Sequence, residues 1–227
     1  KMYMINNYEV TKNLLDLANK YNVKKFIFAS SAAIYGNVKK EYCFENQRKY
    51  PINPYGLSKL KSENYIIRKT KKTKYYIIRI FNLVGFEKLY YKYFKLRNSI
   101  YFKLLNISNN YNKTIYVSKL KKNKKSYTTR RDFINVKDVA NIFIKTLTLR
   151  KKNIIFNCGT GEKVSILELV KHIEKKRNIN FNIKYKIKSK NDPFSVIAST
   201  KIFKGYFNNY KLKKLVNKNI NNSPNTK

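Results

Sequence analysis

A tyrosine and a lysine four residues apart are the first candidates for chemistry in this chain. Tyr55 and Lys59 stand in the stretch NPYGLSK, and a helix that begins at Pro54 would place both on one face. A free tyrosine phenol has a pKa of about 10. Because a neighbouring ammonium favours the phenolate, we expect Lys59 to move Tyr55 towards general-base catalysis near neutral pH. The chain holds 20 tyrosines and many lysines, so this spacing by itself is weak evidence.

A serine that follows an apolar run makes the pair more specific. The run KKFIFAS, residues 24–30, is typical of a buried strand, and Ser31 comes directly after it. Open α/β sheets bind their ligands at the carboxyl ends of the parallel strands. A hydroxyl at that edge could hydrogen-bond a reacting oxygen beside Tyr55. The alternative interpretation is that Ser31 only caps a turn, as serines after strands often do.

The elements that must position these residues alternate between helical and strand-like patterns. Asn53 before Pro54 is a favourable helix start, and Ser165 with Glu168 three residues later predicts a capping box. Alternation of this kind predicts an α/β fold with a parallel sheet. Apolar spacing predicts helices over residues 7–21, 54–68, 98–107, 137–149 and 165–176, and strands over residues 24–30, 74–81, 114–117, 132–136 and 153–157.

The composition limits the possible classes of protein. The 227 residues, 43% of them hydrophobic, suffice for one domain with a small second lobe. No apolar run is long enough for a membrane span, and the first residues lack the apolar core of a signal peptide. Two cysteines far apart, Cys43 and Cys158, favour a reducing cytoplasm over a disulfide framework. With a single histidine, His172, we expect no metal site and assign that side chain to surface or packing.

The net charge of +39 raises the possibility of a nucleic-acid-binding protein. The abundant residues Lys, Asn, Ile, Tyr and Phe have AT-rich codons, while Gly, Pro and Trp number only 6, 4 and 0. A biased source genome explains the charge and the aromatic content together, and the lysines are spread along the whole chain. We therefore favour codon bias. Interleaved lysines and tyrosines could still stack on bases, which keeps the nucleic-acid alternative open.

Five motifs in a fixed order give the chain a resemblance. FIFASSAAIYG, NPYGLSK, IRIFNLVG, RRDFINVKDVA and FNCGTG follow one another along the sequence. They resemble extended short-chain dehydrogenases of the NAD-dependent epimerase/dehydratase family, and among these the UDP-glucose 4-epimerases. The resemblance covers residues 7–201 and implies a Rossmann-like doubly wound parallel sheet with a small substrate-binding lobe. It also implies NAD as cofactor, a UDP-sugar substrate, and a homodimer formed through the helices near Asn7 and Asn53.

The resemblance further implies a reaction and a role for each matching residue. The reaction is inversion at C4 of a UDP-hexose through a transient 4-keto intermediate. Tyr55 would take the proton of the sugar 4-hydroxyl, Lys59 would hold the nicotinamide ribose and tune Tyr55, and Ser31 would orient the 4-oxygen. Asn7 and Phe81 would join these three residues in contacting the cofactor.

The implied substrate-binding set extends the site beyond the catalytic residues. It includes Ser31 and Tyr55 and adds Asn82, Asn98, Arg131 and Asp192. Arg131, in the motif RRDF, would bind the diphosphate, for which a planar guanidinium is suited. Which of the basic residues near 188–190 would join it, and which UDP-sugar is used, stay open.

Departures from the family pattern define the alternatives. Ala32 and Ala33 replace the acidic pair of the sugar dehydratases, which argues against dehydration. The stretch 118–129 and the motif DPFSVIAS resemble the 4-epimerases better than a heptose-nucleotide epimerase, which remains a second possibility. The family's Gly-rich phosphate loop is absent before Asn7, so we expect the chain to lack the first strands. An inactive fragment or remnant is therefore a further alternative.

The expected domain organisation follows the motifs. A partial NAD-binding core covers residues 1–85 and 132–160, and the substrate-binding lobe covers residues 86–131 and 161–210. The Lys/Asn-rich residues 211–227 predict a disordered or weakly packed tail. The glycine pair at positions 159 and 161 is interpreted as a strand-to-helix turn, because no third glycine completes a dinucleotide fingerprint.

Overall fold

The computed structural model describes residues 2–38, 40–85, 99–119, 128–188 and 193–215. The strands are β1 (Lys25–Ser31), β2 (Tyr42–Cys43), β3 (Lys74–Ile80), β4 (Asn82–Val84), β5 (Thr114–Lys119), β6 (Arg130–Arg131), β7 (Phe133–Asn135), β8 (Ile154–Cys158), β9 (Val164–Ser165), β10 (Asn182–Ile187) and β11 (Ser195–Ala198). The helices are α1 (Val10–Lys20), α2 (Pro54–Lys69), α3 (Ile100–Ser108), α4 (Val136–Thr148), α5 (Ile166–Arg177) and α6 (Lys201–Tyr206). A π-helical segment, Met4–Glu9, precedes α1, and a 3₁₀ turn, Ala32–Tyr35, follows β1.

A parallel sheet with helices on both faces forms the centre of the chain. Its strand order is β1-β3-β8, and all the pairings are parallel. Side chains alternate across β3: Ile77 packs with Leu15 of α1 and Ile66 of α2. Tyr76 and Ile78 belong instead to the core under α4 and α6. This is the Rossmann-like α/β arrangement that the alternating pattern predicted.

A second apolar core lies under α3 and α5. Its buried side chains include Leu105 of α3, Val117 of β5, and Leu169 and Ile173 of α5. The strand β10 pairs in parallel with β5 over six residues of each strand. The sequence pattern did not predict β10, because its exposed lysines break the apolar run that marks a buried strand.

Short strands connect the two cores. The order β2-β11-β6-β9 forms one small sheet, and β4 pairs with β7 in another. The predicted strand over residues 132–136 ends at Asn135, whose side chain accepts a hydrogen bond from the Lys137 amide and caps α4. These short pairings place β4, β6 and β11 beside the carboxyl end of β1 and β3.

The described start of the tail, residues 211–215, has no helix or strand. The Lys/Asn-rich composition predicted disorder or weak packing from residue 211, and here Leu212 and Leu215 are partly buried against the apolar cores. The Lys213 amide and the Tyr210 hydroxyl also donate hydrogen bonds to the carboxylate of Asp138. Residues 216–227 lie outside the described part, so the prediction stays untested there.

Two properties of the helices concern the predictions about a membrane span and a homodimer. No helix in the described ranges is long and apolar enough to cross a bilayer. Leu14 and Leu17 of α1 and Leu57 and Ile67 of α2 are exposed at 53%, 50%, 44% and 42%. These are the helices through which the resemblance implies a homodimer, and the dimer stays a prediction.

Ile77 provides a test of the central packing. The substitution Ile77→Ala should lower the free energy of unfolding by about 2–5 kcal/mol, because the side chain is fully buried and leaves a cavity between α1, α2 and the sheet. Ile144→Ala is the matched control, since that isoleucine is 62% exposed. Its effect on urea unfolding should stay within about 0.5 kcal/mol. Equal losses in the two variants would contradict the described core.

Candidate active site

An open cavity of about 570 Å³ lies at the carboxyl edge of the central sheet. Its walls come from β1, α2, the end of β3, α3, β5 and β6. Of the nine residues predicted for the site, six line this cavity: Ser31, Tyr55, Lys59, Phe81, Asn82 and Arg131.

Ser31 and Tyr55 line the same cavity, and the serine hydroxyl lies close enough to the phenol to lower its pKa. The same serine oxygen accepts the amide of Ala33 at 3.2 Å and caps the 3₁₀ turn that follows β1. The interpretation of Ser31 as a turn cap is therefore confirmed, and its role towards a reacting oxygen stays a prediction. The cap fixes the rotamer of a hydroxyl that also contacts the phenol.

Gly56 sets the distance between α2 and the serine turn. A Cβ on this glycine would stand 2.5 Å from the carbonyl oxygen of Ala33. Asn53 caps the helix by accepting the Gly56 amide at 2.7 Å, with Pro54 in the first turn as predicted. The residue after Tyr55 must therefore be small for α2 to approach the end of β1 closely enough for the Ser31–Tyr55 contact.

Lys59 lies one helical turn beyond Tyr55, with its ammonium directed at the strand. Its Nζ donates to the carbonyl oxygen of Ala29 at 2.9 Å and lies 4.9 Å from the centroid of the Phe28 ring. The distance from Nζ to the centroid of the Tyr55 ring is 5.9 Å. The spacing of four residues places both side chains on one face, as predicted.

Burial shifts both ionisable groups towards their neutral forms. It raises the pKa of Tyr55 above the ordinary value of 10, and the nearby Ser31 hydroxyl only partly opposes this. Burial also lowers the pKa of Lys59. This corrects the expectation that Lys59 draws Tyr55 towards its phenolate. The ammonium is bonded to a backbone carbonyl, and it is not among the causes that act on the phenol.

The predicted substrate residues Asn82 and Arg131 approach the cavity from neighbouring strands. The Asn82 side-chain amide donates to the carbonyl oxygen of Asp132 at 2.9 Å. Arg131 Nη1 donates to the carbonyl oxygens of Arg130 and Phe194 at 2.8 and 3.4 Å. Both side chains line the cavity, and these bonds to the backbone hold them in place.

One predicted site residue is not brought to the cavity, and two others cannot be placed. Asn7 lies in the π-helical segment, where its side-chain amide donates to the hydroxyl of Ser58 at 3.0 Å, and it is not among the cavity-lining residues. Asn98 and Asp192 lie outside the described residues. The roles that the resemblance gives these three residues stay predictions.

A buried polar network beneath the cavity was not foreseen from the sequence. Arg79 of β3 forms an ion pair with Glu63 of α2, and Glu63 also accepts a hydrogen bond from Ser30. Arg79 Nη1 donates to the hydroxyl of Tyr35, which donates to Asn157. The available signal was a charged residue inside an apolar strand, since an arginine in KYYIIRIF must be paired if that strand is buried.

A second buried carboxylate, Asp132, lies at the centre of another group of hydrogen bonds. It accepts four hydrogen bonds, from the amide and hydroxyl of Thr160 and from the amides of Gly161 and Ala198. Burial raises its pKa, and these four bonds oppose the shift. Asp132 therefore connects the strand that carries Arg131 to the turn after β8 and to β11.

The bonds to Asp132 also decide what the glycine pair can do. The amides of Thr160 and Gly161 already donate to a carboxylate, so this turn is not available as a phosphate cradle. The chain has six glycines, and no others stand so close together in sequence. Tyr55 and Lys59 at the cavity are compatible with the predicted contact to the nicotinamide ribose, whereas this glycine turn does not fit the diphosphate of a dinucleotide. They also contain no cluster of His, Cys, Asp or Glu side chains that could hold a metal ion.

A Rossmann-like sheet with a serine, a tyrosine and a lysine at its carboxyl edge defines a class of nucleotide-dependent α/β enzymes. Comparison with known sequences identifies the family. Residues 1–159 match the profile of the NAD dependent epimerase/dehydratase family. The chain belongs to this family, whose cofactor is NAD.

Several curated proteins are similar to the chain. An ADP-L-glycero-D-manno-heptose-6-epimerase of Brachyspira hyodysenteriae is 30% identical over 178 residues, which are 77% of this chain and 53% of that protein. UDP-glucose 4-epimerase 3 of Oryza sativa subsp. japonica is 31% identical over 219 residues, 88% of this chain and 57% of that protein. The chain thus spans little more than half the length of these relatives.

Solved structures agree with the fold. The UDP-Glc/GlcNAc 4-epimerase from Campylobacter jejuni is 25% identical with a TM-score of 0.72, covering 89% of this chain and 64% of that one. MoeE5, solved with UDP-glucuronic acid and NAD, is 20% identical with a TM-score of 0.73, covering 92% of this chain and 66% of that one. Because MoeE5 is only 20% identical to the chain, its similarity supports the fold alone.

Gly56→Ala tests the close approach of α2 to the serine turn. The added methyl group would meet the Ala33 carbonyl, so we expect a loss of about 1–3 kcal/mol in the free energy of unfolding. Gly205→Ala is the matched control: no atom lies within 4 Å of its Cβ, and helix propensity should make it stabilising by up to about 1 kcal/mol. Denaturant unfolding measures both changes. A Gly56→Ala variant as stable as the parent would contradict this contact.

The ionisation of Tyr55 gives a second test. Its phenol should keep its proton above pH 10, because burial favours the neutral form. The difference in tyrosinate absorbance between the chain and its Tyr55→Phe variant, followed against pH, isolates this group. A midpoint at or below the ordinary value would show that the expectation from the Tyr-Lys spacing was right after all.

Proposed function

We propose that the chain carries the catalytic part of a nucleotide-sugar epimerase that inverts C4 of a UDP-hexose such as UDP-glucose or UDP-galactose. The observation that carries the proposal is that Ser31, Tyr55 and Lys59 line one cavity of about 570 Å³, which Arg131 also lines. A cavity of this size suits a sugar nucleotide. The similarity to UDP-glucose 4-epimerases supports the same substrate class.

Tyr55 and Ser31 are the proposed catalytic side chains. Epimerisation at C4 requires a proton to leave the 4-hydroxyl and later return to the 4-oxygen. Tyr55 would exchange that proton, while the Ser31 hydroxyl, held by its cap on the turn, would hydrogen-bond the same oxygen. In the described state the phenol is protonated, so acceptance of the proton requires the bound complex to lower its pKa.

Lys59 and Phe81 are the proposed contacts for the nicotinamide half of NAD. When bound beside these residues, NAD would supply the reversible hydride transfer at C4 that inversion requires. The Lys59 ammonium would exchange part of its bond with the Ala29 carbonyl for a ribose hydroxyl. Phe81 is buried beside Tyr35 and forms an apolar wall of the cavity.

Arg131 and Asn82 are the proposed contacts for the sugar nucleotide. A guanidinium can bind a diphosphate through two parallel hydrogen bonds, and the described bonds of Arg131 to backbone carbonyls direct it along the cavity wall. Asn82, Asn98 and Asp192 complete the proposed substrate set. We propose Asn7 as a further cofactor contact. Its side-chain amide donates a hydrogen bond to the Ser58 hydroxyl in α2.

One alternative substrate has its own support. The heptose-6-epimerase of Brachyspira hyodysenteriae is about as similar to the chain as the plant 4-epimerases are. Both activities belong to the same family and would use the same serine, tyrosine and lysine. An assay with both a UDP-hexose and an ADP-heptose therefore decides between them.

Replacing Tyr55 tests the proposed chemistry. Tyr55→Phe should reduce epimerisation of UDP-glucose by about 10²–10⁴-fold, the usual contribution of a positioned acid–base group. NMR of the sugar product measures the rate with added NAD. Tyr65→Phe is the matched control: Tyr65 lies on the same helix and bonds Asp16, away from the cavity, and its loss should leave the rate unchanged.

Binding of NAD is measured separately by calorimetry. A parent chain that neither binds NAD nor turns over either substrate would contradict the proposal for this chain and favour an inactive fragment. A Tyr55→Phe variant with full activity would contradict the catalytic assignment. Tight RNA binding at physiological salt, with a steep salt dependence, would favour the nucleic-acid alternative.

A further inference from the structure

The buried ion pair of Arg79 and Glu63 lies beneath the cavity. It contacts the end of β1, the 3₁₀ turn that follows β1, and the segment that contains Glu45. Arg79 Nη2 lies 2.8 Å from Glu63 Oε2, and the two side chains are 2% and 1% exposed. Arg79 Nε donates to both oxygens of the same carboxylate, at 3.1 and 3.3 Å. Arg79 Nη1 donates to the Tyr35 hydroxyl and to the carbonyl oxygen of Glu45. The guanidinium is therefore fixed in orientation by partners on several sides.

Glu63 also holds the residue before the catalytic serine. The Ser30 hydroxyl donates to Glu63 Oε1. Along the sheet, Ser30 is paired with Arg79 and Ser31 with Ile80. On α2, Glu63 lies four residues after Lys59 and eight after Tyr55, so it continues the face that those side chains occupy. The ion pair thus joins the helix of Tyr55 to the strand of Ser31.

Stability does not account for such a pair. Desolvation of two buried charges offsets most of their attraction, and apolar side chains of similar volume often serve as well. What apolar side chains cannot supply is a directed acceptor for the Ser30 hydroxyl. The geometry is therefore better explained by alignment than by stability.

We propose that Glu63 and Arg79 are positioning residues, which hold Ser30 and so fix the Ser31 hydroxyl against the Tyr55 phenol. The proposal rests on the proposed function in one respect, namely that Ser31 and Tyr55 are the catalytic side chains. Neither Glu63 nor Arg79 lines the cavity, so both act through Ser30 and α2.

The test uses a thiol at position 31 as a reporter. Cys43 and Cys158 are fully buried, so Ser31→Cys places a thiol at the cavity wall in a chain whose own cysteines are protected. Alkylation by iodoacetamide, read out for each cysteine by mass spectrometry, then follows the position of the end of β1. The native cysteines report any general loosening of the fold.

Ser30→Ala removes only the bond to Glu63 and leaves the ion pair intact. In the Ser31→Cys background it should raise the alkylation rate at position 31 by about 3–10-fold, the equivalent of one hydrogen bond, while Cys43 and Cys158 stay protected. The matched control is Tyr65→Phe in the same background, which removes a bond between α2 and α1 instead. It should leave the rate at position 31 unchanged.

A second variant tests the pair itself. Removal of one partner would leave an uncompensated buried charge, so Glu63→Leu is combined with Arg79→Met. This double variant should keep the circular dichroism of the parent and show the same rise at position 31. An unchanged rate with Ser30→Ala, an equal rise with Tyr65→Phe, or exposure of Cys43 and Cys158 in step with position 31 would each overturn the proposal.

The kinetic constants kcat and KM provide a further test, because a purely structural role of Glu63 and Arg79 would not change kcat alone. Ser30 itself lines the cavity, but its hydroxyl donates to Glu63, so Ser30→Ala should lower kcat for epimerisation about 3–10-fold with KM unchanged. A change in KM alone would overturn the positioning role. The thiol measurements need neither NAD nor substrate. An inactive parent chain would therefore contradict the proposed function, and the alkylation rates would still test the alignment by Glu63 and Arg79.

Discussion

The contact between the start of α2 and the end of β1 is the constraint on which the candidate site depends. Gly56 allows the helix backbone to approach the Ala33 carbonyl more closely than any side chain would permit. That approach brings Tyr55 to Ser31, and the spacing of the helix then places Lys59 over the strand. A helix displaced by even a side chain's width would leave the same residues present but too far apart to act on one ligand atom.

Buried carboxylates connect the elements that surround the cavity. Glu63 is bonded to Ser30 of β1 and Arg79 of β3. Asp132 is bonded to the turn after β8 and to β11. Each carboxylate accepts several hydrogen bonds, which offset the cost of its burial. Directed hydrogen bonds fix the relative position of neighbouring strands within narrower limits than apolar packing does. This accounts for the charged groups buried beneath the cavity.

Burial favours the neutral forms of both ionisable groups at the cavity, Tyr55 and Lys59. Burial keeps the Tyr55 phenol protonated and disfavours the charged form of Lys59, whose ammonium is bonded to a backbone carbonyl. Proton exchange at a sugar hydroxyl would need a different balance, which ligands in the cavity would have to supply. The amides of the glycine turn already donate to Asp132 and are not available to a ligand.

The sequence by itself determined the local features of this protein. The cap and proline at positions 53 and 54, the four-residue spacing of Tyr55 and Lys59, and the serine after an apolar run depend on neighbours within a few residues, so periodicity reveals them. The tertiary structure decided what depends on distant partners. Ser30 and Glu63 are 33 residues apart, and Asp132 and Ala198 are 66 apart. Among 51 basic and 12 acidic residues, no local pattern shows which charges are buried, because the cost of burial is offset only by partners that folding brings together.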